Sequence, residues 1–328
     1  MSGAGAVIRW EWRGRPLCAY AAGGAPSERR ETLSLFPRSS RKRRLLYDAM
    51  RFSAGMGIDR WVMPVADPLD GLLSREECHG LVERLRGMYE GARVEWLITW
   101  PAMLSRERLY VLYRVPAMAV AGVVKIGAGA FNARQLSNEA TVLERLADGA
   151  HPFGVPAVRI KAEWPDHRTV LALDGFARDH RACSLDEARE AADAVCAHLP
   201  SIPVPKARLR LAETAWFPHQ EATGLGDEEF EAVFAHGDLG PGNLDRAPDG
   251  RVLLYDWENA SLEAPRATDR VGFWLALRQR GVLRAPLAER DRLKQDHGDL
   301  GDRDLRLALC FLAAHDNLAA RRLLEAWA

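Results

Sequence analysis

The chain has little lysine and no ordered cysteine pattern. Only Lys42, Lys125, Lys161, Lys206 and Lys294 stand among its 45 Lys and Arg residues. Its five cysteines, Cys18, Cys78, Cys183, Cys196 and Cys310, are scattered, and no two form a Cys-x-x-Cys pair. That excludes a disulfide framework and a thiolate zinc site, and it fits a reducing compartment. The longest uncharged apolar run, residues 115–124, is too short to span a bilayer as a helix. No apolar segment of signal-peptide type opens the sequence, so the expectation is a cytoplasmic protein. Net charge is lacking too. The 45 acidic residues balance the 45 basic ones, which argues against a nucleic-acid partner. There is no internal repeat and no low-complexity segment.

What is present suits a soluble globular chain. Of 328 residues, 48% are hydrophobic and 27% charged, enough for a core and for roughly two domains. Charge is uneven along the chain. Residues 1–51 carry eleven Lys or Arg against four acids. The densest run, Arg41, Lys42, Arg43 and Arg44, reads either as a solvated helix start or as a contact for an anionic membrane surface or acidic substrate.

Local patterns place the elements. AVIRWEW and LCAYA, joined by RGRP, read as a hairpin, and RKRRLLYDAMRFSAG as a basic helix ending at Gly55. Ser74 and Glu77 have capping-box spacing ahead of a helix that stops at Gly91. Residues 94–100, 108–115 and 121–127 are strand-like runs separated by short turns, the pattern of an antiparallel sheet. Residues 136–149 are helical, with Glu139, Val142, Leu143 and Leu146 on one face. Another strand covers 169–175. Ser184 and Glu187 cap a helix over 184–199, after which the sequence reads as mostly helical apart from strand 251–257. GAGAF at 127–131 lacks a phosphate-loop ending and reads as a linker. The polar stretch 296–304, with His297, Asp299, Asp302 and Asp304, reads as a solvated loop.

The segment FAHGDLGPGN, residues 234–243, is too rich in Gly, Pro, Asp and Asn for a helix interior. It holds Asp238 and Asn243 five residues apart. Thirteen residues later LLYDWE puts Asp256 at the end of an apolar run. A carboxylate takes a proton from an alcohol only within hydrogen-bond reach. Mg2+ asks for oxygen ligands, one or two of them from protein. Asp238, Asn243 and Asp256 supply a base, a neutral oxygen ligand and an anionic one.

HGDLGPGN followed by LLYDWE resembles the catalytic and metal-binding segments of the aminoglycoside phosphotransferase and choline kinase family. The resemblance covers about residues 95–280. It implies an α+β, two-lobed protein-kinase-like fold with a small antiparallel-sheet N-lobe and a mostly helical C-lobe. On that division, residues 1–91 are an N-terminal extension of a short hairpin and helices. Residues 92–175 bind nucleotide, and 176–328 carry the catalytic loop and acceptor site.

The implied activity is transfer of the γ-phosphoryl group of ATP, with Mg2+, to a hydroxyl of a small molecule. By resemblance, Asp238 is the base, Asn243 and Asp256 hold the metal, and His236 and Asp269 brace the loop. The family also needs a strand lysine on the phosphates, fixed by a helix glutamate. Lys125 in VVKIG and Glu139, fourteen residues on, match it. In so Arg-rich a chain a lysine there is informative, because its compact ammonium suits a point contact to phosphate.

The turn at 101–108 has no glycine, which leaves Ser105 or Arg106 to touch phosphate. The stretch Ala172–Gly175, Asp174 included, is expected to meet the adenine. From Glu258 onward eleven acids stand against twelve bases, a balance that argues against a polycationic acceptor without deciding the matter. A sugar, an aminoglycoside, an amino alcohol, or a lipid or polysaccharide precursor all fit. The alternative is a catalytically inactive kinase-like protein that binds nucleotide or serves as a scaffold. YDWE in place of Asp-Phe-Gly counts against a protein kinase.

Overall fold

The structure is a computed structural model. It describes residues 7–12, 15–35, 41–59, 72–100, 107–147, 149, 151–175, 183–197, 208–210, 229–246, 250–315 and 317–327, without the side chains of residues 12, 15, 41–43, 185 and 197. The chain divides into two compact units, residues 1–136 with 158–176, and residues 137–157 with 177–328.

The first unit is built on one seven-stranded sheet. Its strands are β1 (Val7–Trp12), β2 (Arg15–Ala21), β3 (Glu95–Thr99), β4 (Arg108–Val115), β5 (Val120–Ala128), β7 (Ala157–Trp164) and β8 (Arg168–Asp174). They lie in the order β1-β2-β3-β4-β5-β8-β7, and each pairing from β1 through β8 is antiparallel. The N-terminal hairpin is therefore hydrogen-bonded into this sheet, with Cys18 opposite Thr99. Side chains alternate across a strand. In β4, Leu109, Val111, Tyr113 and Val115 are buried while Tyr110, Leu112 and Arg114 are half-buried.

Helix α1 (Pro26–Thr32), helix α2 (Arg41–Gly55) and helix α3 (Arg75–Met88) complete the layers. Cys78, Leu81 and Leu85 of α3 share a core with Val7, Ala19, Ile98, Val111 and Val124. Ser74 caps α3 as its spacing predicts, accepting from the Glu77 amide at 3.2 Å while the Glu77 carboxylate accepts from the Ser74 amide at 2.8 Å. Tyr47, Met50 and Ala54 of α2 share a separate core with Ile8, Trp10, Cys18 and Tyr20. Both faces of the hairpin are thus covered.

Helix α4 (Gly129–Ala147) follows β5 and starts seven residues before the sequence pattern suggests. The GAGAF segment is not a linker, because its first two residues end β5 and Gly129, at φ +78°, opens the helix. The buried Arg108 explains the early start. It donates to Asn132 at 3.1 Å and to Gln135 at 2.9 Å, anchoring the first turns.

The second unit holds two small sheets and a helical end. One sheet has the order β13-β10-β9, from β9 (Arg208–Arg210), β10 (Glu229–Ala235) and β13 (Ser261–Pro265). The other has the order β11-β12-β6, from β6 (Phe153–Gly154), β11 (Leu244–Arg246) and β12 (Val252–Leu254). Helix α5 (Leu185–Ala197) comes first, then helices α6 (Thr268–Arg284), α7 (Pro286–Asp296), α8 (Asp302–Ala314) and α9 (Leu318–Glu325). The expectation of mostly helix after residue 199 is corrected between Arg208 and Pro265, where the described residues form strands and turns. These strands are three to seven residues long, too short to print a clear period on the sequence.

The core of this unit gathers Phe230, Ala232, Val271, Trp274, Leu309 and Phe311. The stretch 296–304 is also corrected. His297 is fully buried, while Asp299 pairs with Arg270, and Asp302 with Lys294, at the surface. Burial pulls the His297 ring down to about 4, with no hydrogen-bond partner for either nitrogen among the described residues. The structure is α+β, an antiparallel-sheet unit and a unit whose C-terminal part is helical.

Candidate active site

The site grows from a short hairpin in the second unit. Strands β11 and β12 pair antiparallel with Leu244 opposite Leu254. Just outside that pair, the Tyr255 amide donates to the Asn243 carbonyl at 3.0 Å. Asp256 is the next residue. The Asn243 side-chain amide reaches back to the Asp238 carbonyl at 2.8 Å and to Asp238 Oδ2 at 3.4 Å. A turn closed by Asn243 N–H to Gly240 O, 2.9 Å, spans the residues between. Asp238 and Asn243 are held to each other directly, and the hairpin register sets Asp256 beside Asn243.

Buried groups hold the loop from behind. His236 is fully buried. Its Nε2 lies 2.7 Å from the Tyr255 carbonyl, which can only accept, and its Nδ1 accepts from the Asp238 amide at 3.3 Å. Those partners assign the neutral tautomer with the proton on Nε2. Asp269, in the first turn of α6, accepts from the His236 amide at 2.8 Å and the Gly237 amide at 2.9 Å. Complete burial raises the Asp269 carboxyl above its usual range, opposed by these two amide bonds. Trp257 is the packing floor. Its ring stacks on Phe234 at 5.8 Å, lies 4.5 Å from the His236 ring, and its Nε1 donates to Leu254 O at 3.1 Å.

Two backbone features fit the loop for this role. Gly237 has φ +81°, and a Cβ there would stand 2.2 Å from the Asn259 carbonyl oxygen. Only glycine satisfies both the angle and the space. Asp256 has φ +65°, a left-handed conformation uncommon outside glycine but tolerated by Asp. It reverses the chain after β12, so that the turn Trp257–Asn259 brings Glu258 back toward Asp256.

That turn adds residues that sequence reasoning did not assign. One carboxylate oxygen each from Glu139, Asp256 and Glu258 lies within 4.8 Å of the others. Glu139 and Glu258 are buried, and Asp256 is half-buried. Helix α4 is tied there by Asn138, whose side-chain amide donates to the Glu258 carbonyl at 3.2 Å and the Ala260 carbonyl at 3.0 Å. The only sequence signal for Glu258 is its place two residues after Asp256, and Asn138 offers no signal at all.

Three carboxylate oxygens this close are a set that could hold a divalent cation. The donor set is all hard oxygen, which fits Mg2+ and disfavours softer metals. Asn243, as an amide oxygen, belongs to the same chemistry.

In the first unit, Lys125 sits in mid-β5, buried, opposite Tyr110 and Leu171. By strand alternation it projects from the sheet face opposite Val124 and Ile126, which pack with α3. Asp174 ends β8. Its buried carboxylate accepts from Tyr89 at 3.1 Å and is paired with Arg159. That side chain is committed to holding Tyr89 and Arg159 in place. Ser105 lies outside the described residues, as do the side chains of Arg41, Lys42 and Arg43.

No family model matches the chain. No curated protein matches it either. Sixty-one chains of solved structures do match. One is a ternary complex, with ADP and hygromycin B, of a thermostable mutant of aminoglycoside phosphotransferase APH(4)-Ia. It is similar at 13% identity and TM-score 0.48, over 73% of this chain and 90% of that one. A GDP complex of wild-type aminoglycoside 2'-phosphotransferase-IIIa is similar at 14% identity and TM-score 0.44, over 74% and 92%. WbdD bound to a kinase inhibitor is similar at 16% identity and TM-score 0.31, over 64% of this chain and 44% of that one. At these identities and TM-scores the likenesses say nothing of substrate.

Proposed function

We propose that this protein is a kinase-like phosphotransferase that moves the γ-phosphoryl group of ATP to a hydroxyl of a small molecule. One observation carries the reading. The β11–β12 register and the Asn243–Asp238 hydrogen bonds gather a solvent-exposed carboxylate, an amide and a second carboxylate at one end of a hairpin. Fully buried His236, Trp257 and Asp269 fix that end from behind.

In the proposed reaction Asp238 accepts the proton of the acceptor hydroxyl and orients its oxygen. The new O–P bond forms to the γ-phosphorus as the bond from that phosphorus to the bridging oxygen breaks, and ADP leaves with the bonding pair. Asn243 and Asp256 would hold Mg2+, which when bound neutralises charge on the phosphates. Lys125 is assigned to the phosphates as a point charge. Glu139 is assigned to the same machinery, and its nearness to Asp256 and Glu258 supports a role beside the metal. A nucleotide contact near Asp174 would come from backbone, since its side chain is engaged. Ser105 is assigned to phosphate cover on its sequence position. Most of the rate would come from positioning and charge neutralisation.

The test is Mg2+-dependent ADP release with a panel of sugars, aminoglycosides, amino alcohols and lipid precursors. Asp238→Asn is expected to lower turnover about 10²–10⁴-fold while nucleotide affinity stays unchanged. Equal turnover in wild type and variant contradicts the reading. Nucleotide binding without turnover on any acceptor favours the non-catalytic alternative.

A further inference from the structure

Helix α2 bears apolar side chains on two opposite sides. At about 100° per residue, Tyr47, Met50 and Ala54 fall together, and all three are buried. Leu45, Ala49, Phe52 and Met56 fall together on the far side. There Leu45 is 72% exposed, Phe52 66% and Met56 64%, and Ile58 just beyond is 41% exposed. A helix needs one apolar face to dock on its own fold. The second stripe is not used in packing within the described residues.

The charge along this helix is mostly of one sign. The helix carries Arg41, Lys42, Arg43, Arg44 and Arg51 against Asp48 alone. Arg44 and Arg51 are exposed, and Arg51 lies 5.8 Å over the Tyr47 ring. Arg30 of α1 reaches the far end of the helix, where its Cδ is 3.3 Å from a Cβ built at Gly55. Four cations in a first turn oppose the helix dipole, so they are not placed there for the helix's own stability. Exposed Arg44 and Arg51 lie along one flank of the apolar stripe.

We propose that the outer face of α2 lies on an anionic lipid bilayer surface. Leu45, Phe52 and Met56 enter the boundary between headgroups and acyl chains, and the basic residues meet anionic headgroups. The helix, about 22 Å long, then lies in the plane of the interface, as amphipathic helices with basic flanks do. No described helix is long and apolar enough to cross a membrane, so the contact is peripheral. This contact does not depend on the phosphotransferase reading.

The test is co-sedimentation of the intact protein with vesicles of phosphatidylcholine alone, and of roughly three parts phosphatidylcholine to one part phosphatidylserine. Binding is expected on the anionic vesicles, at least about tenfold weaker on neutral ones, and falling as salt rises. Each base near the surface contributes a factor of about five, so Arg44→Glu with Arg51→Glu should weaken binding more than tenfold. Phe52→Ser with Met56→Ser should weaken it comparably. All four residues are exposed, so far-UV circular dichroism and the melting point serve as controls on folding. Absence of binding to anionic vesicles at low salt overturns the proposal, as does equal binding by wild type and both variants. A stable dimer that Phe52→Ser with Met56→Ser converts to monomer makes the stripe a self-association face and also overturns it.

Discussion

Both units pair opposite charges, and the second also gathers three carboxylates at its hairpin end. In the first, opposite signs meet. Arg29 and Asp59, both almost fully buried, form two hydrogen bonds of 2.9 Å, and Asp59 also accepts from Tyr20 at 3.0 Å. Tyr20 accepts in turn from Trp10 at 3.1 Å. Arg168 meets Glu77, and Arg159 meets Asp174. At the hairpin end of the second unit, one carboxylate oxygen each of Glu139, Asp256 and Glu258 lies within 4.8 Å of the others. Paired charges answer the demands of folding. The approach of Glu139, Asp256 and Glu258 offers the all-oxygen donor set that the proposed metal site needs.

The largest effect should come from breaking a pair in the first unit. Asp59→Ala leaves the Arg29 guanidinium buried without its carboxylate, and the expected loss is about 3–5 kcal/mol of unfolding free energy, read by urea denaturation. A loss within error of zero would mean that the network does not hold the hairpin to α1.

A smaller effect belongs to the second unit. Gly237→Ala forces a positive φ on alanine and drives its Cβ into the Asn259 carbonyl. Strain of about 1–3 kcal/mol is expected, and turnover should fall more than stability does, since the displaced turn carries Asp256 and Glu258. Unchanged turnover in a destabilised variant would separate the loop from the chemistry.

The smallest effect sharpens the contrast through pH. The Arg168 guanidinium holds the Glu77 carboxyl down at about 2. A carboxyl depressed on folding contributes stability above its unfolded value near 4.3, and that contribution is lost as pH falls toward 2. Arg168→Ala should flatten the acid limb of the stability curve between those values, by less than about 1 kcal/mol since the pair reaches the surface. An unaltered acid limb would remove Glu77 from the pairing pattern.

How much of this is legible in the sequence follows from the range of each interaction. Ser74 with Glu77 and Ser184 with Glu187 are local, and both boxes form as the spacing predicts. The alternation in β4 is local and equally clear. The pairing of β2 with β3 joins residues about eighty positions apart, and no local period encodes it. Arg29 and Asp59 are ordinary charged residues until the fold buries them. At the site, the Asp238–Asn243 spacing is visible because a tight turn demands Gly, Pro and Asn. Glu258 and Asn138 are not visible, because their places depend on the reversal at Asp256 and on hydrogen bonds across more than a hundred residues.

The central claim is that Asp256, with its neighbours, binds a magnesium–nucleotide complex. Calorimetric titration of a non-hydrolysable ATP analogue, with and without Mg2+, tests it on wild type and Asp256→Asn. Mg2+ should strengthen nucleotide binding to wild type by about tenfold or more, and this gain should vanish in Asp256→Asn while metal-free binding persists. An equal gain from Mg2+ in both proteins would contradict the account.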